Sequence, residues 1–166
     1  MRCGNWLSSL FGRQGAKLAL NVPYELGASE VVARVLYSKN QFSVSRMRPK
    51  PSAFNPSPYT ELSGVHVTGL PEAVIWEIAK NTAGREPGRT TIYARADVLV
   101  GQFISQKLRA VRDDNPFARH TSVMGWPKMT DLDAQKERWK EICLALSESL
   151  DVNLVLPVTP IRTDES

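Results

Sequence analysis

Hydrophobic and polar positions along the chain alternate in ways that predict a mixture of strands and helices. Residues 16–22 (A-K-L-A-L-N-V) alternate weakly and stop at Pro23, which predicts a strand; residues 29–37 (S-E-V-V-A-R-V-L-Y) are ambiguous, since Ser29 before Glu30 resembles a helix start, but their β-branched content favours a second strand. Residues 61–70 alternate around Val65 and Val67 and predict a third strand. Pro71 then occupies a first-turn position for a helix over 71–80, with Ala73, Val74, Ile75, Trp76, Ile78 and Ala79 as its apolar face and Glu72 near its positive end. Pro87-Gly88 marks a turn.

Residues 91–108 read as a strand running into a helix, with Asp97 as its cap, or as one long helix. Residues 107–113 suit a strand ended by the turn signal Asp113-Asp114-Asn115-Pro116, and His120 to Met124 suit a short strand closed by Gly125-Trp126-Pro127. From Thr130 or Asp131 the clearest helix begins, covering 134–150, with Trp139, Ile142, Cys143, Leu146 and Leu150 on one stripe. Residues 153–161 suit an edge strand before their prolines. Strands and helices do not alternate as regular βαβ units, so the expected class is α+β: one domain over 16–157 with a small mixed or antiparallel sheet and about three helices. Residues 1–15 are expected to form an arm or short helix and residues 158–166 a flexible acidic tail.

Residues 45–60 break the pattern. S-R-M-R-P-K-P-S-A-F-N-P-S-P-Y-T holds four prolines and no period, which predicts an extended loop longer than most connections. Its Arg46, Arg48 and Lys50, followed by Phe54 and Tyr59, combine cations with rings on which bases could stack. That combination suits single-stranded nucleic acid or a nucleotide, and an extended Pro-rich segment equally suits a groove on a protein partner.

Charge supports the same region. Residues 1–60 carry eight Lys/Arg against Glu25 and Glu30, whereas residues 131–166 carry four basic and eight acidic side chains. A basic first third favours acidic partners even though the net charge is only +4. Two cysteines exclude a disulfide framework and a Cys-rich zinc site, and point to a reducing cytoplasm. No stretch approaches the ~20 apolar residues of a membrane span, and the N-terminus lacks the sustained apolar core of a signal peptide. Glycine-rich phosphate loops, dinucleotide fingerprints, Gly-x-Ser-x-Gly elbows and His-x-x-x-His ligand pairs are all missing, so no cofactor and no metal is expected.

Both histidines have a hydroxyl two residues on: His66-Val67-Thr68 and His120-Thr121-Ser122. On strands, positions two apart share a face. Two such units facing one cleft would supply a base, an acid and phosphate-holding hydroxyls, as in two-histidine phosphoesterases, which these motifs resemble. That resemblance implies a phosphodiesterase with His66, Thr68, His120 and Ser122 as its catalytic group.

A second resemblance is broader. R-P-K-P-S-A-F (48–54), E-L-S-G-V-H-V-T-G-L-P-E-A-V-I-W (61–76), A-R-A-D-V (94–98) and P-F-A-R-H-T-S-V-M-G-W-P-K (116–128) together resemble a family of small, uncharacterised bacterial proteins. Its pattern runs R-x-K-x-x-A-F, E-T-S-x-F-R, R-H-x-x-I-x-G-W-P and an Ala/Leu-rich final helix, corresponding to residues 45–150. No activity attaches to that pattern, so it implies no catalytic residue. It has Arg where His66 stands and requires no hydroxyl at Ser122, while Glu61, Arg119 and His120 match. The resemblance directs attention to Glu61, Ser63, Arg119, His120 and Trp126. The leading expectation is a cytoplasmic accessory protein of a bacterial or mobile-element system. It would be non-enzymatic and bind nucleic acid or a phosphate-bearing ligand through the 45–60 loop and the Arg119-His120 region.

Overall fold

The computed structural model describes residues 22–56, 60–83 and 91–163. Of the strand expected over 16–22 only Val22 is among them, and it is not in a strand; the arm over 1–15, Tyr59 and the Pro87-Gly88 turn lie outside them. In chain order the elements are β1 (Tyr24–Glu25), β2 (Val31–Leu36), β3 (Phe42–Ser43), β4 (Arg48–Pro49), β5 (Leu62–His66), α1 (Glu72–Ala83), β6 (Thr91–Ile92), β7 (Ala94–Leu99), α2 (Val100–Ser105), β8 (Arg109–Arg112), β9 (His120–Met124), α3 (Leu132–Glu148), β10 (Val152–Val155) and β11 (Ile161–Arg162). The fold is α+β. A seven-stranded sheet runs β1-β8-β9-β5-β2-β7-β10, and all of its pairings are antiparallel.

Register assigns each side chain to a face, because directly opposed residues emerge on the same side. Val32 opposes Val98, and Ala110 opposes Val123; with Leu62, Val152 and Leu154 these residues make the core against Ile142, Cys143 and Leu146 of α3. The other face packs Ala33 and Val65 against Ile75 of α1, and Val35 against Ala79 and Ala83. Of the apolar face expected for α1, Ala73 is instead exposed and Val74 is 41% exposed. The axis of α1 is set by the Ile75-Ala79-Ala83 row, which points Val74 outward. Leu150, expected on the α3 stripe, is 84% exposed because the helix ends at Glu148.

A buried cation ties α1 to the sheet. Arg95 on β7 is 3% exposed; it donates to both carboxylate oxygens of Glu72 (2.8 and 2.7 Å) and to both of Asp97 (2.9 and 3.0 Å), and stacks over Trp76 at 4.6 Å. Asp97 is therefore not a helix cap. It sits inside β7, and the residue preceding α2 is Leu99, whose side chain makes no capping bond. The start of α3 does follow its sequence signal: the Asp131 carboxylate accepts from the N–H groups of Asp133 and Ala134.

Residues 45–60 contain more order than an extended loop. β3 and β4 form a small hairpin, and Pro51–Phe54 make a 3-10 turn with proline in its first position. That turn packs on α3 and delivers Phe54 fully into the core, at 0% exposure. Near the C-terminus, β10 is an edge strand of the sheet, while β11 pairs with β6. Residues 161–162 of the expected flexible tail are thus held in a ladder. Gly64 sits where β5 presses on β2: a Cβ there would come within 2.5 Å of Val32 Cγ1 and 3.2 Å of the Ala33 carbonyl oxygen. No helix among the described residues is long and apolar enough to cross a membrane.

Candidate functional sites

The two histidines lie on opposite faces of the sheet. Val65 opposes His120 across β5 and β9, so these two share the α1 face, and His66, next to Val65, points to the α3 face, where it opposes Val32. Their partners confirm the separation. His66 Nδ1 lies 3.3 Å from Arg112 and its Nε2 3.1 Å from Glu30 Oε1; Nε2 is buried and out of line for a hydrogen bond to that carboxylate. The His120 ring contacts Asp113, Ser63 and Phe117 instead. Two imidazoles with a β-sheet between them cannot hold one phosphate, which corrects the two-histidine arrangement. Thr68 departs from it as well, since it lies beyond the end of β5 and its hydroxyl accepts the Val31 N–H at 2.8 Å. Ser122 does share the face of His120, opposite Ser63, and is buried at 6% exposure.

Burial pushes the His66 pKa below its ordinary value; Glu30 opposes this, and Arg119 and Arg112 add to the lowering. For Asp114, burial would raise the carboxyl, but hydrogen bonds from Arg112 Nε and the Arg119 N–H hold it below the usual range. Arg119 has a left-handed backbone (φ 67°), and its guanidinium donates to the carbonyls of His66 (2.9 Å) and Thr68 (3.3 Å). Through this one nitrogen, Nη1, the side chain joins the 113–119 connection to the end of β5. Trp126 is also structural: it is 3% exposed, its indole N–H donates to the Val123 carbonyl, and it packs edge-on against Trp139. Gly125 supplies the φ of 91° needed to turn out of β9.

What remains around His120 is a linear hydrogen-bonded relay. Asp113 Oδ1 lies 2.6 Å from His120 Nδ1, and His120 Nε2 lies 3.0 Å from Ser63 Oγ. The β8–β9 connection makes this possible, because the Asp113 N–H bonds the His120 carbonyl (3.1 Å) and brings residues seven apart face to face. Phe117 packs edge-on against the imidazole at 5.0 Å. Ser63 is exposed, as is Glu61 just before β5. Sequence reasoning picked out Ser63 and His120 but treated Asp113 as a turn residue. An acid just before a Pro-containing turn, with a histidine opening the next strand, was the available signal.

The basic residues of 45–60 converge elsewhere. Arg46, Arg48 and Lys50, together with Ser43 and Ser45 and with Leu144, Ser147 and Glu148 at the end of α3, line an open pocket of about 840 Å³. Arg48 Nη1 donates to the Glu148 carbonyl at 3.0 Å, answering an orphan acceptor at the helix C-terminus. Arg46 and Lys50 are exposed and make no ion pair among the described residues. Phe54, expected as a stacking ring beside them, is in the core. β4 packs beside β10, which lies four strand spacings from β9; at about 4.8 Å per strand, this pocket and His120 are roughly 19 Å apart across the sheet. The hairpin pocket and the Arg119-His120 region are therefore two places, although the loop itself reaches β5 through Arg34, which donates to the carbonyls of Ala53 (3.3 Å) and Ser63 (2.9 Å).

Comparison with protein-family models, with curated proteins and with solved structures gives no match. Among the described residues no group of three or more His, Cys, Asp or Glu side chains is placed to hold a metal ion.

Proposed function

We propose that the protein binds a phosphate-bearing ligand, a nucleotide or a nucleic-acid backbone, in the pocket between the β3–β4 hairpin and the end of α3. The observation carrying this reading is the convergence of Arg46, Arg48 and Lys50 with three serines, Ser43, Ser45 and Ser147, on one open pocket. Three cations outweigh Glu148 and the partial negative charge of a helix C-terminus, so the pocket is net positive. Guanidinium forks and hydroxyls are the donors that phosphate oxygens accept. With Phe54 buried, base stacking plays no part for that ring, and recognition is of charge and not of sequence. A reducing cytoplasm suits the buried free thiol of Cys143.

Fluorescence anisotropy with a labelled single strand of about twenty nucleotides tests the proposal. Three phosphate contacts give a log–log salt slope of about −2, so affinity falls roughly 20-fold between 50 and 200 mM salt. Arg46→Ala and Lys50→Ala each reduce that slope by about 0.7, and free nucleotide competes with the strand if the smaller ligand is the natural one. Failure to bind at 50 mM salt, or unchanged binding in the Arg46→Ala/Lys50→Ala double variant, overturns it.

A further inference from the structure

We infer that Ser63 is a nucleophile, activated by His120 as general base, with Asp113 as the positioning residue, and that this site cleaves acyl esters. The geometry meets two requirements of such a site: a nucleophile in hydrogen-bond reach of a base, and a base oriented by a third group. The relay spans 3.0 Å from Ser63 Oγ to His120 Nε2 and 2.6 Å from His120 Nδ1 to Asp113 Oδ1. Its direction follows from chemistry. An ionised carboxylate only accepts, so Nδ1 carries the proton and donates to Asp113. In the neutral imidazole Nε2 is then the acceptor, and the Ser63 hydroxyl donates to it.

Exposure is arranged in the matching sense. His120 is 8% exposed and held on its flank by Phe117, whereas Ser63 at the end of the relay is open to solvent. The two residues that flank the connection on the inside, Asp114 and Arg119, both hold left-handed backbones (φ 53° and 67°). Left-handed backbone at a non-glycine residue is strained and persists where surrounding contacts enforce it. Here the contacts are the Asp114 carboxylate on the Arg119 N–H and the Arg119 guanidinium on the end of β5, so the connection holds Asp113 and His120 against the strand that carries Ser63.

In the reaction Ser63 Oγ attacks the acyl carbonyl carbon as its proton passes to His120 Nε2. The tetrahedral intermediate collapses by breaking the bond to the alcohol oxygen, which takes the proton from His120 and leaves. Water then attacks the acyl-serine, giving one proton to His120, and the carboxylic acid departs as that proton returns to Ser63 Oγ. No redox partner or metal enters the balance.

The experiment is labelling of the full chain with a fluorophosphonate probe, with p-nitrophenyl acetate turnover measured in parallel. One equivalent of probe is expected on Ser63 by peptide mass mapping, and none in Ser63→Ala, an exposed change that leaves the thermal midpoint in place. His120→Gln is expected to lower the labelling rate at least about 100-fold. Asp113→Asn lowers it as well, and Asp113→Glu restores part of it, a rescue that a purely structural role would not produce. Absence of labelling in the folded wild type, labelling at another residue, or full labelling in His120→Gln overturns the assignment. If His120→Gln does not fold, the Ser63→Ala comparison and the Asp113 pair decide. None of these outcomes depends on the hairpin pocket, so the binding proposal stands or falls separately.

Discussion

Replacing Arg95 by Met removes the guanidinium while keeping an unbranched apolar stem against Trp76. The loss is uneven across its two partners. Glu72 is 57% exposed and returns to water, so its share is that of a surface pair, about 0–1 kcal/mol. The Asp97 side chain is 16% exposed and loses both of its guanidinium hydrogen bonds. Stranding one member of a buried pair costs about 3–5 kcal/mol, and the partial exposure of Asp97 puts the expected value near the lower end, about 3 kcal/mol. For a chain of this size that is a drop of about 6–12 °C in thermal midpoint. Urea unfolding at pH 7 should show a lower midpoint with an unchanged m-value. The double variant Arg95→Met/Asp97→Leu is the decisive companion, because it removes the stranded charge and should recover at least half of the loss. An Arg95→Met penalty under about 1 kcal/mol, or a double variant as unstable as the sum of its singles, refutes the account.

Two further outcomes follow from the same kind of reasoning. The folded-state pKa of His66 lies below 6.5, so as pH falls through that value the unfolded chain takes up the proton first and the native state loses stability, until the folded ring titrates too. Thermal midpoints should therefore decline between about pH 7 and 5 in the wild type and less so in His66→Gln; equal slopes in the two count against it. The lowered carboxyls of Glu72 and Asp114 act in the same direction, but only nearer their ordinary values of 4.5 and 3.8. Phe54→Ala is expected to cost about 3–5 kcal/mol as a core truncation, read by chemical denaturation, and to leave the salt slope of strand binding unchanged; a stable variant with weakened binding would return Phe54 to the ligand.

Elements whose pattern is local were legible from residue order. β9 falls on His120–Met124, α3 begins at its Asp131 cap, and β10 is an edge strand, as periodicity and capping chemistry predict. The misreadings involve partners distant in sequence. Asp97 looks like a cap until Arg95 and the pairing of β7 with β2 and β10 are known, because an acid before an apolar run signals either role. Phe54 sits in a proline-rich stretch that nothing local marks as buried, yet packing against α3 takes it inside. Both histidines have a hydroxyl two residues on, and only the register of β5 against β9 shows that they face apart. The candidate relay was half visible: Ser63 and His120 stood out, but Asp113 joins them through the path of a seven-residue connection that composition does not specify.

Gly64 gives the Ser63 relay a mechanical dependence on the opposite side of the sheet. With no side chain at 64, β5 can lie close to β2, Val32 fills the space, and the neighbouring Ser63 stays within 3.0 Å of His120. Any substituent there would lever β5 outward by tenths of an ångström from the α3 side, and the displacement would be read on the α1 side as a lengthened serine–histidine contact. One strand thus carries, on adjacent residues and opposite faces, a position with no room for a side chain and the serine of the relay, so a Gly64→Ala change on the α3 side is expected to be felt on the α1 side.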